Sequence, residues 1–230
     1  MYFDPLYLLL SAPVLIFSML AQWAVKSNFS KYSKVRNSYG ISGSEIARLI
    51  LERNGIMDVK VEPTRGWLSD HYSPSERVLR LSEPVYNSNS IAAIGVAAHE
   101  AGHALQHKFG YSMMTLRQSL AYPASFASNI SVWLIVIGAL IGAMGLAKIG
   151  FVLFCIVVLF QIVTLPVEFD ASRRAKKLLV EYGIADRRDS SGVASVLNAA
   201  AMTYVAAAAS SISQLLYYAI RLGLFNRRDD

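Results

Sequence analysis

The sequence predicts a mainly α membrane protein with four transmembrane helices and a small α+β insert after the first of them. Three observations support this fold class. Hydrophobic residues make up 54% of the chain and the mean hydropathy is +0.37, both high for a soluble protein. Four apolar runs approach the roughly 20 residues that a helix needs to cross a bilayer. The segment between the first two runs carries both helix and strand patterns.

The apolar runs differ in character. The first carries Asp4 where a secretory signal would be basic, so we expect a retained anchor. Lys148 separates the second run from the third, and the short gap favours a helical hairpin. The fourth is rich in alanine and serine, which suits close helix packing, although an amphipathic helix on the surface or packed on the insert is the alternative. The runs cover about 5–25, 130–147, 149–167 and 194–219. The expected domains are a transmembrane anchor at 1–25, an insert at 26–122 and a helical membrane domain at 123–230.

The basic residues indicate how the chain is oriented. The net charge is +6, but the lysines and arginines lie beside apolar runs and are not interleaved with aromatic residues. We therefore expect topology signals and no nucleic-acid surface. Basic clusters at 26–36 and 173–177 follow the first and third runs, so four spans place both on one side. The positive-inside rule predicts that this side is the cytoplasm of a multi-pass protein in the cell membrane.

The insert carries patterns for two helices and a hairpin. Ser42 and Glu45 match a capping box that begins a helix, and Gly55 follows its expected end. The turn-like segment 73–76 lies between two strand-like segments, which predicts an antiparallel hairpin. A second helix is expected to end at Gly110. In order, the expected elements are a helix at 42–53, a strand at 59–61, the hairpin at 66–72 and 77–81, and a helix that begins at a capping residue at 88, 89 or 90.

The second helix contains the motif H-E-x-x-H, formed by His99, Glu100 and His103. Histidines four residues apart lie one turn apart on the same helix face, so both rings can bind one metal ion. Glu100 can take a proton from a water that the metal activates, as in zinc hydrolases. Two surface histidines beside a solvated glutamate are the alternative, but the apolar stretch 91–98 indicates a buried helix. We therefore expect a zincin-like catalytic insert with Zn²⁺ as its cofactor.

A catalytic zinc site needs a third protein ligand, which must be His71, His107 or a carboxylate. His107 lies eight residues after His99, about 12 Å along the helix axis, which is too far for one ion. We expect His107 to be a capping or supporting group instead. His71 could donate a hydrogen bond to a developing oxyanion, or could be an exposed strand residue. The single cysteine, Cys155, lies in an apolar run, which excludes a disulfide framework and a cysteine-based zinc site.

Glu168 is the favoured third ligand. It lies at the expected cytoplasmic end of the third apolar run, where a carboxylate is costly unless it is paired or binds a metal. The predicted topology places it on the same side of the membrane as the motif helix. The alternative is an interfacial glutamate that pairs with Arg173 or Arg174, and Asp170 is the reserve ligand.

Four segments together resemble a known family: 68–72, 79–82, 97–107 and 165–175. They look like the YugP-type membrane zinc metallopeptidases of bacteria, and the likeness covers nearly the whole chain, including the order of the spans. The resemblance implies a mechanism class and little about substrates.

More distantly, the chain resembles the HtpX and CAAX-prenyl protease group of membrane gluzincins, which bind zinc through two histidines and a later glutamate. That resemblance implies His99, His103 and Glu168 as ligands. In the group an aspartate four residues after the glutamate braces a histidine. This sequence has Ser172 there, so either the serine hydroxyl or Asp170 is expected to take that part.

The sequence therefore predicts an integral membrane zinc endopeptidase whose zincin-like unit lies on the cytoplasmic face. We expect Glu100 to act as the base and His71 to assist at the carbonyl. Expected partners are a peptide or protein substrate, from unfolded or juxtamembrane segments, and the lipid bilayer. The alternative is a non-enzymatic membrane scaffold or chaperone-like protein with a structural metal. A metal transporter is disfavoured because the runs carry no histidine or internal carboxylate near the bilayer midplane. The oligomeric state carries no sequence signal.

Overall fold

The computed structural model describes residues 4–225, which are mostly helical with one small sheet. This confirms the mainly α fold class and the hairpin ahead of the motif helix. The elements in chain order are α1 (Pro5–Tyr32), α2 (Gly43–Arg53), β1 (Lys60–Thr64), β2 (His71–Ser73), β3 (Val78–Ser82), α3 (Glu83–Tyr86), α4 (Ile91–Lys108), α5 (Ser112–Leu140), α6 (Met144–Glu181) and α7 (Arg187–Arg221).

Among the described residues, four helices are long and apolar enough to cross a membrane: α1, α5, α6 and α7. The expected boundary between the second and third runs at Lys148 is wrong. α5 ends at Leu140 and α6 begins at Met144, so Lys148 lies inside α6. The reason is Gly142, whose φ of 74° is a left-handed conformation that stops a helix and suits glycine. Continuous hydropathy hides this turn because the residues around it are apolar.

The described chain divides into two units, and the first comprises residues 4–20, 116–165 and 204–225. In it α1 and α7 are antiparallel neighbours. The Ser213 hydroxyl donates to the Leu10 carbonyl at 2.7 Å, and the Tyr217 hydroxyl donates to Asp4 at 2.8 Å. Arg221 forms an ion pair with the same aspartate. These contacts join the beginning of α1 to the end of α7.

The second unit comprises residues 21–115 and 166–203 and contains the sheet. The strand order is β1-β3-β2, with β1 parallel and β2 antiparallel to the central strand β3. The parallel pairing of β1 is a feature that the strand-like sequence at 59–61 does not predict. The segment 166–203, which the sequence assigns to the membrane domain, belongs to this unit.

Helix α4 lies in the core of the second unit and contacts α2, α3, β2 and β3. The Ser90 hydroxyl accepts from the Ala93 amide and so caps the first turn of α4. The capping box of Ser42 and Glu45 at the start of α2 is confirmed. The largest fully buried side chains of this core include Ile46, Ile50, Leu79, Leu81, Ile94 and Leu179. A helix buried on this scale can hold its polar side chains in fixed positions.

Candidate metal centre

Two elements bring together the three ligands that the sequence predicts. His99 and His103 lie one turn apart on α4, and Glu168 lies on α6. The Glu168 Oε2 atom is 3.3 Å from His99 Nε2 and 3.6 Å from His103 Nε2. One candidate ligand atom from each residue lies within 4.8 Å of the other two. The side chains of His99, His103 and Glu168 are 13%, 9% and 3% exposed, so the cluster is shielded from bulk water.

The close approach of α4 to α6 depends on Gly102, which lies inside the motif. A methyl group on Gly102 would stand 2.9 Å from the Ala171 carbonyl oxygen and 3.3 Å from its Cα. Both are backbone atoms of α6, which cannot move aside as a flexible side chain would. The absence of a side chain at Gly102 therefore lets the backbone of α6 reach the motif face of α4, and this brings Glu168 to the histidines.

Each of the two candidate ligand histidines has a hydrogen-bond partner at its Nδ1 atom, on the far side of the ring from the cluster. Ser172 Oγ lies 3.1 Å from His99 Nδ1, and Gln106 Oε1 lies 2.9 Å from His103 Nδ1. Such partners fix the ring orientation and determine which nitrogen faces a metal. Ser172 and Asp170 are the two residues expected to brace a histidine, and of these Ser172 contacts a histidine ring directly.

Asp170 contacts the site through Gln106. The Gln106 amide nitrogen donates to Asp170 Oδ2 at 3.0 Å and to the Val167 carbonyl at 2.8 Å. Asp170 also forms ion pairs with Arg173 and Arg174. Arg173 and Arg174, the alternative partners expected for Glu168, therefore pair with Asp170. The reserve ligand is not a member of the histidine–glutamate group.

Sequence reasoning missed Gln106, although a signal was present. It follows His103 by three residues, a spacing that places the two side chains on the same helix face. Gln106 is fully buried, and buried amide groups are almost always hydrogen-bonded. A glutamine at this position of an apolar helix therefore indicates that polar partners lie nearby.

His107 is engaged away from the cluster. Its Nδ1 atom lies 2.8 Å from the Tyr72 hydroxyl of β2, and the two rings are neighbours. This agrees with the geometric argument that His107 cannot share an ion with His99. The contact joins β2 to the last turns of α4.

Glu100 is buried next to the candidate ligands. Its burial raises the pKa of the carboxyl group above the ordinary value, and the imidazoles of His103 and His99 act in the opposite direction. For His103, burial lowers the pKa, but contact with Glu168 and the charge of Glu100 outweigh it and the pKa is raised. A carboxyl group whose pKa is raised is a stronger base than an ordinary carboxylate.

His71 lies outside the cluster, exposed on the edge strand β2. Its Nδ1 atom is 2.8 Å from the Ser69 carbonyl oxygen. The preceding residue, Asp70, accepts hydrogen bonds from the amide and hydroxyl of Ser82 and so ties the start of β2 to the end of β3. The catalytic role of His71 stays a prediction.

Comparison with known proteins agrees with this arrangement. A family model described as "Putative neutral zinc metallopeptidase" matches residues 7–223. The chain belongs to this family. It is 49% identical to "Putative membrane protease YugP" of Bacillus subtilis (strain 168), over 98% of this chain and 99% of the relative. No solved structure matches.

For a member of the neutral zinc metallopeptidase family, the donor set fits the metal. Two imidazole nitrogens and one carboxylate oxygen are a set that catalytic zinc sites use. The group found among residues 4–225 has these three members. Three protein ligands leave a coordination position for the reaction, whereas a structural zinc site has four.

Proposed function

We propose that this protein is a multi-pass membrane zinc endopeptidase of the gluzincin type, with His99, His103 and Glu168 as its metal ligands. The observation that carries the proposal is the meeting of these three side chains, from two separate helices, beside the buried carboxyl group of Glu100. Family membership and the membrane protease relative support the class of the reaction.

Glu100 is the proposed general base and acid. A bound zinc ion would act as a Lewis acid that polarises the peptide carbonyl and makes a water molecule acidic near neutral pH. Glu100 takes the proton of the attacking water and returns a proton to the leaving amine. Its burial suits the first half of this exchange, because a raised pKa makes the Glu100 carboxylate a stronger base towards the water proton.

The sheet offers a binding mode for an extended substrate. β2 is an edge strand, and it also contacts the motif helix α4. A peptide that adds to such an edge through main-chain hydrogen bonds would run alongside the helix that carries the base. We also propose that His71, on this strand, assists at the substrate carbonyl. Substrates of this kind are unfolded or juxtamembrane segments, because a folded protein has few free strands.

The proposed cytoplasmic location of the site rests on charge. The basic clusters 26–36 and 173–177 both belong to the second unit, which also contains the candidate ligands. By the positive-inside rule this unit faces the cytoplasm, with four spans in the cell membrane.

Substitution Glu100→Gln tests the proposal. We expect the variant purified in nanodiscs to keep one zinc per chain and to lose peptide hydrolysis by about 100-fold or more, because an amide cannot accept the proton. Zinc is measured by mass spectrometry and hydrolysis with an unstructured peptide library. Glu52→Gln, at an exposed position on α2, is the matched control and should retain full activity.

Two results would contradict the proposal. Normal turnover by Glu100→Gln would remove Glu100 as the base. A wild-type protein that binds zinc and gains stability but cleaves no peptide would favour the non-enzymatic scaffold.

A further inference from the structure

The amide group of Gln106 has one orientation that satisfies its contacts. Its nitrogen lies 2.8 Å from the Val167 carbonyl oxygen and 3.0 Å from Asp170 Oδ2, and both of these atoms can only accept hydrogen bonds. The NH₂ end must therefore face α6. The oxygen end must face His103 Nδ1, which is 2.9 Å away.

This orientation determines the tautomer of His103. An amide oxygen only accepts, so the hydrogen bond requires a proton on His103 Nδ1. In the neutral ring the lone pair then lies on Nε2, the atom that faces Glu168 at 3.6 Å. His99 differs, because its partner Ser172 is a hydroxyl that can either donate or accept.

We propose that Gln106 is a positioning residue that sets His103 in its metal-binding tautomer, and that Asp170 holds the Gln106 amide in the required orientation. Arg173 and Arg174 balance the charge of Asp170, which is itself buried. In many metal sites a carboxylate contacts the ligand histidine directly. Here the Gln106 amide lies between the Asp170 carboxylate and His103. The proposal rests on His103 as a ligand and does not depend on peptide hydrolysis.

Nuclear magnetic resonance of the metal-free full-length protein tests the tautomer. The chain has four histidines, so ¹⁵N-labelled histidine gives few signals, and His103→Gln assigns the one of interest. At an alkaline pH where the ring is neutral, we expect the proton of His103 on Nδ1. A wild-type His103 with its proton on Nε2 would overturn the proposal without any variant.

Gln106→Met tests the contribution of the amide, since methionine keeps the length and removes the hydrogen bonds. We expect loss of the Nδ1–H preference and a zinc affinity about 10–100-fold weaker in a competition titration. Ser172→Ala is the matched control, because it removes the partner of His99 and should leave the His103 tautomer unchanged. An unchanged tautomer and zinc affinity in Gln106→Met would refute the positioning role.

A different observation concerns the loop between β1 and β2. Trp67 and Leu68 are 52% and 38% exposed at its tip. Leu68 has a φ of 55°, a left-handed conformation that residues with side chains rarely adopt. Strain that presents an apolar side chain to the outside points to a function for that side chain.

The position of the tip relative to α1 indicates what it contacts. The Trp67 ring packs edge-on against Phe29 of α1, with ring centroids 5.7 Å apart. Phe29 follows the end of the first apolar run at residue 25 by four residues, about 6 Å along the helix. If α1 spans the bilayer, this level is the lipid–water interface, where tryptophan is enriched.

We infer that the Trp67–Leu68 tip inserts into the headgroup region of the membrane, with the exposed Arg65 beside it to contact lipid phosphates. The inference rests on α1 as a membrane span. It does not require a metal or peptide hydrolysis. Since the same loop leads into Asp70 and β2, the contact would hold the proposed substrate edge close to the bilayer surface.

Fluorescence quenching in vesicles of brominated phosphatidylcholine and phosphatidylglycerol tests this contact. Trp23→Phe with Trp133→Phe leaves Trp67 as the single tryptophan, and Trp133 alone serves as the control for a residue in a candidate span. We expect brominated lipid to quench Trp67 by at least a third, and Leu68→Ser to reduce that quenching. Quenching by aqueous iodide alone, or shielding from both quenchers, would overturn the inference.

Discussion

The substitution Gly102→Ala probes whether the approach of α6 to α4 forms the metal centre. The added methyl group would lie 2.9 Å from the Ala171 carbonyl oxygen, whereas an ordinary contact begins near 3.4 Å. The two helix backbones must therefore separate by about 0.5 Å at this point. Insertion of a methyl group into a tightly packed site costs about 1–3 kcal/mol of unfolding free energy.

Gly95→Ala is a control on the same helix. Its methyl group would meet Val193 side-chain atoms at 3.4 Å and 3.5 Å, which are ordinary contacts. Both substitutions gain about 1 kcal/mol from the better helix propensity of alanine. That gain cancels in the comparison, so Gly102→Ala should be less stable than Gly95→Ala by about 1–3 kcal/mol.

Zinc affinity gives a second measurement of the same displacement. Ligand distances in metal sites are held within about 0.2 Å, so a 0.5 Å shift of the helix that carries Glu168 should weaken zinc binding by about 10–100-fold. Chelator competition measures the affinity and denaturant unfolding in nanodiscs measures the stability. Equal zinc affinity and equal stability in the two variants would refute the reasoning.

Three further predictions concern the metal and the topology. Glu168→Ala leaves two histidine ligands, so zinc per chain should fall well below one, and an unchanged stoichiometry would reject Glu168 as a ligand. Free zinc at 100 times its dissociation constant should stabilise the wild type by about 2.7 kcal/mol, and His103→Ala should lose this shift in thermal unfolding. Protease added outside intact cells should leave the insert at 26–122 uncut, whereas cleavage there would overturn the proposed orientation.

Local patterns predicted the parts of the site that depend on one element. The spacing of His99 and His103 places two imidazoles on one helix face wherever that helix lies. The cost of a carboxylate at the end of an apolar run pointed to Glu168. These inferences are possible from the sequence because helix periodicity and transfer free energies depend on residues close together in the chain.

The sequence favoured Glu168 over Asp170 as a ligand, but it did not determine which side chains Asp170 contacts. Both are buried carboxylates on α6, two residues apart, and so they face different directions on the helix. Which direction meets α4 depends on how the two helices pack. The structure brings Glu168 to the histidines and Asp170 to Gln106 and the arginines.

By itself, the sequence determined that the chain is helical and apolar enough for a membrane, and that a buried helix carries two histidines and a glutamate in metal-binding order. Only the tertiary structure decided that Gly102 admits the backbone of α6, that Gln106 faces His103, and that β1 pairs in parallel with β3. The physical reason is distance along the chain. Periodicity and hydropathy reflect residues within a few helical turns of one another. These contacts depend on residues far apart in the chain, which come together in space only when the core packs.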